Sequence, residues 1–200
     1  MTAVALAIVD AGGANLASVC AAFERLGATP LVTSDPAVIA SAERVVLPGV
    51  GAAAPAMARL VERGLADTIV SLRQPVLGIC IGMQVLYEAS DEGDVRCLGV
   101  LPGRVRALAR ERCGRVPHMG WNRLEPRGDS PLLEGLDASA YAYFVHSYAA
   151  AEDARTVAGC RYGDTFAAVV SERNFHAVQF HPERSGAVGA RVLANWLALA

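Results

Sequence analysis

The segment Gly78-Ile79-Cys80-Ile81-Gly82-Met83-Gln84 places a cysteine between two glycines, directly after the apolar run Pro75 to Leu77. A strand that ends in a sharp turn at a reactive residue, with a helix starting there, has the geometry of a nucleophile elbow. Glycine on either side tolerates such a turn because it carries no Cβ. The free N–H groups and positive end of the new helix would favour the thiolate, the nucleophilic form of cysteine. A second segment, Ala177-Val178-Gln179-Phe180-His181-Pro182-Glu183, reads as a short strand followed at once by His-Pro-Glu. Pro182 removes a backbone donor and fixes φ, so the strand stops and His181 and Glu183 fall in a turn at its end. Strand ends are where open α/β sheets gather their ligands. Cysteine, histidine and carboxylate supply a nucleophile, a base and a group to orient the base. Cys80 taken alone also fits a buried structural cysteine; the two segments together, on an alternating chain, favour chemistry.

Strand and helix signals alternate along the chain and would bring these two turns together. Val4 to Val9 is apolar and predicts a first strand. Leu16, Val19, Cys20, Phe23 and Leu26 fall at helical spacing, with Gly27 as the stop. Leu31 to Thr33 and Val45 to Leu47 read as short buried strands, and Met57, Leu60, Val61 and Leu65 belong to helix-like stretches. Val76 to Ile79 is the strand feeding the elbow, and Gly82 to Tyr87 begins its helix. From about Leu98 to Leu124, short runs separated by Gly and Pro predict antiparallel strands or hairpins. Val169 to Ser171 and Ala177 to Phe180 follow as strands. Val188 to Leu199 is a closing helix with Val192, Leu193 and Trp196 on one face. The pattern predicts one domain over residues 1–200, of the α/β class, with a three-layer, open, mostly parallel sheet and an antiparallel insertion.

Composition removes several function classes. Hydrophobic residues make up 53% of the 200 and net charge is −2, which excludes disorder and gives no nucleic-acid footprint. No run of about 18 apolar residues is present to span a membrane, and the N-terminus reads as a strand rather than a signal peptide. The five cysteines (Cys20, Cys80, Cys97, Cys113 and Cys160) are odd in number and form no C-x-x-C pair. That argues for a reducing, cytoplasmic setting and against a disulfide framework or a zinc site; Cys97, Cys113 and His118 are too scattered to make one. No metal and no cofactor is expected. All eighteen basic residues are arginine, so a Schiff-base lysine and a Walker phosphate loop are excluded. Arg104, Arg106, Arg110, Arg112 and Arg115 read as a solvated hairpin edge.

At its two reactive segments the chain resembles the class I, triad-type glutamine amidotransferases, Gly78 to Gln84 being similar to that family's nucleophile segment and Phe180 to Glu183 to its second signature. Pro48-Gly49-Val50-Gly51, Pro117-His118-Met119-Gly120-Trp121-Asn122, Tyr143-Phe144-Val145-His146-Ser147-Tyr148 and His181 to Gly186 together look like the glutaminase subunits of imidazole glycerol phosphate synthase. The resemblance runs from about Val9 to Gly186. Other class I glutaminases, serving pyridoxal phosphate, anthranilate or carbamoyl phosphate synthesis, would share Cys80, His181 and Glu183 but not those middle segments. A non-catalytic protein on the same scaffold and a cysteine hydrolase of the same broad fold are the remaining alternatives.

The resemblance implies a flavodoxin-like fold and a Cys80-His181-Glu183 triad that hydrolyses glutamine through a γ-glutamyl thioester. In it His181 is neutral near pH 7 and moves the protons, and Glu183 orients it. It implies an oxyanion hole from the backbone N–H groups of Ile81 and Gly51, the glycine-rich loop permitting a peptide rotation that completes the hole when a partner signals. It implies glutamine contacts at Gln84, Glu92, Ser147 and Tyr148, with Glu92 suited to the α-ammonium. Ammonia would pass to a partner, a (β/α)₈-barrel cyclase subunit, in a heterodimer whose docking face includes Asn15, Trp121, Tyr143 and Arg184. Trp121 is the strongest anchor candidate among these. Two segments depart from the family pattern: Asp10-Ala11-Gly12-Gly13-Ala14-Asn15 stands where Asp-Tyr-Gly-x-Gly-Asn is usual, and Arg184 replaces a lysine.

Overall fold

The computed structural model describes residues 5–12, 15–137 and 139–199. Val4 of the expected first strand, and Gly13 and Ala14 of the departing loop, lie outside the described residues. From the N-terminus the chain runs β1 (Leu6–Val9), α1 (Leu16–Glu24), β2 (Pro30–Thr33), α2 (Pro36–Ser41), β3 (Arg44–Gly49), α3 (Ala53–Glu62) and α4 (Leu65–Ser71). The elbow follows, as β4 (Val76–Cys80) and α5 (Ile81–Gln84), and then β5 (Tyr87–Ser90), β6 (Val95–Arg96), β7 (Leu101–Ala107), α6 (Arg110–Cys113), β8 (His118–Arg123) and β9 (Glu125–Pro126). The C-terminal part contains β10 (Tyr141–His146), β11 (Tyr148–Ala150), β12 (Thr156–Tyr162), β13 (Asp164–Glu172), β14 (Phe175–Val178) and α7 (Gly186–Leu197).

The main sheet has the order β2-β1-β3-β4-β14-β13-β12-β9. Pairing is parallel from β2 to β14 and antiparallel beyond it. β1, β3, β4 and β14 are apolar and almost wholly buried, as a parallel centre covered on both faces requires. The helices form two groups. α1 and α7 meet where Phe23 and Trp196 pack edge to face, ring centroids 5.8 Å apart, while α2 and α3 both pack on α4. The expected α/β class and three-layer architecture are what the chain adopts.

Two local expectations are corrected. Leu31 and Val32 are 43% and 39% exposed, because β2 is the edge strand and carries a neighbour on one side only. The elbow helix stops at Gln84 instead of continuing to Tyr87, which opens β5. The stretch from Leu98 to Leu124 does contain strands paired antiparallel, as expected. β7 pairs with β5 and with β11, and β8 pairs with β10, so both find partners remote in sequence. Within this stretch Arg104 bridges Asp91 and Asp94, and Arg112 bridges Asp164, on the exposed surface.

What positions the nucleophile is close backbone packing behind the elbow. β4 lies between β3 and β14, with Gly49 opposite Cys80 and Val178 opposite Ile79. The turn into α5 then presses Gly82 onto β3, where an added Cβ would stand 1.8 Å from the Leu47 carbonyl oxygen. Both Gly49 and Gly82 are required by this approach, since a Cβ on Gly49 would come 2.9 Å from the Gly82 nitrogen. Gly82→Ala should therefore cost about 3 kcal/mol by overpacking, lowering Tm by roughly 6–12 °C for a chain of this size. Thermal unfolding of the variant checks this; an unchanged Tm would show that the elbow has room to move.

Candidate active site

β4 ends on Cys80, which adopts φ +54° and ψ −109° and is the N-cap of α5. A non-glycine residue at positive φ is uncommon and here marks the turn that aims the side chain out of the sheet. α5 has only four residues, so its contribution at the sulfur comes from local N–H groups rather than from a long helix dipole. Cys80 is 4% exposed. Its Sγ lies 3.9 Å from the Val145 carbonyl oxygen and 3.8 Å from Gln179 Nε2, and it is near enough to the His181 ring to shift that group's acidity.

His181 follows β14 after a two-residue bend and places Nδ1 2.8 Å from Glu183 Oε1. Burial alone would depress this imidazole, but the Cys80 sulfur and the Glu183 carboxylate together outweigh it and raise it to about 10. Between a sulfur and a carboxylate the imidazolium is favoured. The backbone of His181 is also held. Its N–H donates to the Tyr143 carbonyl at 2.9 Å, and its carbonyl accepts from Ser185 Oγ at 2.7 Å. The same hydroxyl accepts from the Tyr143 N–H at 2.9 Å. Ser185 is 1% exposed and went unremarked as a site residue in the sequence; the signal available was a small hydroxyl directly after His-Pro-Glu-Arg.

Cys80 and His181 open onto a cavity of about 290 Å³ whose wall includes Gly51, Ile81, Gln84, Glu92, Ser147 and Tyr148. Each expected oxyanion and substrate residue thus lies at one cavity. Gly51 has φ +93°, a backbone state that glycine adopts without strain. Gln84 uses its Nε2 internally, donating to the Tyr148 carbonyl at 2.9 Å and to Gln179 Oε1 at 3.0 Å. Its own Oε1 is buried with no partner among the described residues. Glu92 Oε2 accepts from the Ala53 N–H at 2.9 Å, capping α3, whose N-cap Ala52 makes no side-chain cap bond. Pro117 and His146 also line the cavity.

Behind the cavity lies a chain of oriented polar groups. The Tyr148 carbonyl can only accept, so His146 Nδ1, 2.9 Å away, carries a proton. His146 Nε2 must then accept from His118 Nδ1 at 3.0 Å, and His118 Nε2 accepts from Asn122 Nδ2 at 3.3 Å. Asn122 Nδ2 also donates to the Arg161 carbonyl at 2.9 Å. Both rings are neutral in this arrangement. Burial pulls His118 down to about 4. Burial, with smaller contributions from His118 and His181 and against the Tyr148 carbonyl, pulls His146 down to about 3. His118 is stacked between Phe144 and Tyr162, with centroids 4.9 and 4.0 Å away.

The four expected docking residues lie on the other side of His181. Asn15, Tyr143 and Arg184 line a second cavity of about 210 Å³ that shares Val50, Val145 and His181 with the first and includes Glu183. Glu183 Oε2 is buried there without a partner among the described residues. Trp121 packs edge to face on Tyr143 at 6.1 Å and is 56% exposed, beside Met119 at 62%. Among the described residues, no group of three or more His, Cys, Asp or Glu side chains is placed to hold a metal ion.

Residues 7–199 match the family described as glutamine amidotransferase class-I. The imidazole glycerol phosphate synthase subunit HisH of Xanthomonas campestris pv. campestris (strain 8004) is 56% identical over 192 residues, 96% of this chain and 96% of that protein. The protein of the same name from Xylella fastidiosa (strain Temecula1) is 53% identical over 192 residues, with the same coverage. A crystal structure described as a glutamine amidotransferase superposes with a TM-score of 0.74 at 22% identity, covering 96% of this chain and 97% of the other; at that identity the likeness is one of fold.

The histidine pair gives stability a defined acid limb. The folded protein keeps His118 and His146 neutral down to about 4 and about 3, whereas in the unfolded chain each takes up its proton near 6.5. Their contribution is complete above about 6.5 and is lost as pH falls from there toward about 4. Tm should fall across that window, and less steeply in His118→Phe, which keeps the stack but has no proton to gain. Thermal unfolding at several pH values checks this; equal slopes would show that His118 is already charged in the folded state.

Proposed function

The chain belongs to the class I glutamine amidotransferases and, within them, to the HisH subunits of imidazole glycerol phosphate synthase, and from that premise we propose that it is the glutaminase subunit of this synthase, acting as one domain over residues 1–200. The observation that carries the reading is the Cys80–His181 pair with Glu183 behind it, opening on the cavity described above.

In the proposed reaction, the Cys80 thiolate attacks the side-chain carbonyl carbon of glutamine. The oxyanion that forms is met by the N–H of Ile81, free because Ile81 opens α5, and by the N–H of Gly51 once that peptide is turned toward it. His181 gives its proton to the departing nitrogen, ammonia leaves, and a γ-glutamyl thioester remains on Cys80. Neutral His181 then takes a proton from water, whose oxygen attacks the thioester; glutamate departs and the thiolate–imidazolium pair is restored. Glu183 keeps Nδ1 protonated and stabilises the imidazolium. Gln84 Oε1 accepts from the substrate, Ser147 and Tyr148 contact it, and Glu92 faces its α-ammonium while also capping α3.

Ammonia in neutral water is quickly protonated and lost as a nucleophile. We propose that it passes to a (β/α)₈-barrel cyclase subunit in a heterodimer, which uses it to make imidazole glycerol phosphate and an aminoimidazole carboxamide ribotide. Asn15, Trp121, Tyr143 and Arg184 would form the docking face, supported by the exposed Met119–Trp121 surface and the second cavity beside it. A cytoplasmic location fits the five free cysteines; no helix among the described residues is long and apolar enough to cross a membrane.

Cys80→Ala should lower glutamine-dependent turnover of the complex by at least on the order of 10³-fold while leaving cyclase activity with added ammonium salt intact. Steady-state rates with each nitrogen source check this. Retained glutamine turnover would remove Cys80 as nucleophile, and glutaminase activity that ignores the cyclase would remove the synthase assignment.

A further inference from the structure

Gln179 lies between β14 and His181, is fully buried, and has no part in the triad or in the substrate contacts above. Its N–H donates to the Ala168 carbonyl at 2.9 Å, so its backbone is fixed to β13. Its side chain bridges two groups at the site, Oε1 accepting from Gln84 Nε2 at 3.0 Å and Nε2 lying 3.8 Å from Cys80 Sγ. The orientation of this amide follows from its neighbours. The Tyr148 carbonyl forces the nitrogen of Gln84 toward itself, and the second N–H of that nitrogen then faces Gln179. Turning the Gln179 amide over would set two donors against each other. Nε2 must therefore point at sulfur.

We propose that Gln179 is a thiolate-holding residue of the glutaminase site, donating an N–H to the Cys80 sulfur, with Gln84 and the Tyr148 carbonyl as the clamp that fixes the direction of that donor. This rests on the reading of Cys80 as nucleophile. The sign of the interaction is set by comparison with the other polar neighbour of sulfur. The Val145 carbonyl, 3.9 Å away, can accept from a thiol but only repels a thiolate. An N–H is a weak partner for a thiol and a strong one for a thiolate. Gln179 thus offsets Val145 and favours transfer of the thiol proton to His181. The titratable groups around Cys80 are His181 with Glu183 behind it, His146 from β10 and Glu92 across the cavity. Gln179 is uncharged at every pH, so its effect is separable from theirs.

The test is the pH dependence of Cys80 alkylation by iodoacetamide in the full chain, read by mass spectrometry of the Cys80 peptide, with Cys80→Ala as the blank for the other four cysteines. Gln179→Met keeps size and removes the donor; it should raise the pH of half-maximal labelling by about one unit or more. Glutamine kcat in the complex should fall roughly tenfold at neutral pH with KM little changed, the deficit closing as pH rises. Gln179→Glu keeps shape and sets an oxygen against sulfur, and should move the profile further in the same direction. A folded variant of either kind with an unmoved labelling profile overturns the proposal. If neither folds, the Gln179 side-chain amide resonance of the wild type carries the test. It should shift as Cys80 ionises and on alkylation, and a resonance indifferent to both overturns the proposal. Failure of the glutaminase reading looks different: the wild-type Cys80 would resist both iodoacetamide and a diazoketone analogue of glutamine.

Discussion

The site depends on the backbone of a single residue. Cys80 is held at φ +54° and ψ −109°, a state that costs a non-glycine residue on the order of 1–3 kcal/mol. It persists because its surroundings leave no alternative. β4 is paired on both sides, by β3 and β14, so the strand cannot slide. Gly82 seats the next turn directly on the Leu47 carbonyl, so the turn cannot relax away from β3. Cys80 alone among the residues of this turn needs a side chain at a strained position. Through the same pairing, β14 delivers His181 beside the sulfur, because Val178 lies opposite Ile79. One arrangement of three parallel strands therefore fixes both partners of the reacting pair.

Around that pair, buried polar groups are arranged by donor and acceptor count more than by charge. An uncompensated polar group in this interior costs about 1–3 kcal/mol, which leaves few allowed patterns. The Tyr148 carbonyl accepts hydrogen bonds from both Gln84 and His146. It thereby orders two branches, one running to the sulfur through Gln179 and one running away through His118 to Asn122 on β8. Asn122 faces inward on that strand, opposite the exposed Trp121, and the branch ends at the Arg161 carbonyl on β12. Neutral imidazoles suit this role, since each passes its orientation to the next group without placing charge in the core.

The turns that carry the candidate reactive residues were legible in the sequence because their neighbours are backbone specialists. Glycine at positions 78 and 82 and proline at 182 announce turns, and a cysteine or histidine beside a turn is exposed to reaction. The strands feeding those turns were legible as apolar runs. Less legible was anything set by remote pairing. β8 finds β10, placing His118 opposite His146 and Trp121 opposite Tyr143, and nothing in either segment states that register. The same limit explains why Leu31 and Val32 read as buried when they lie on an edge. Gln179 and Ser185 were written in the sequence as polar residues between apolar ones, but their meaning depends on which groups the fold brings to them. The direction in which His181 is pushed is likewise set by what the fold brings to it, the sulfur and carboxylate on either side.

His181 stands between two cavities, and that position separates the two ends of the proposed reaction. In that reaction glutamine would be met on the side of Gln84, Glu92 and Tyr148, which line the first cavity. The opposite side, lined by Asn15, Tyr143, Glu183 and Arg184, faces the proposed docking surface. A ring that shuttles protons between sulfur and the leaving nitrogen must touch both the bound substrate and the path its product takes. Ser185 ties the two sides mechanically, its hydroxyl holding the His181 carbonyl and the Tyr143 N–H at once. A partner that moves the edge of β10 at Tyr143 therefore acts on the backbone that carries the base. The route from docking face to chemistry need be no longer than one hydroxyl.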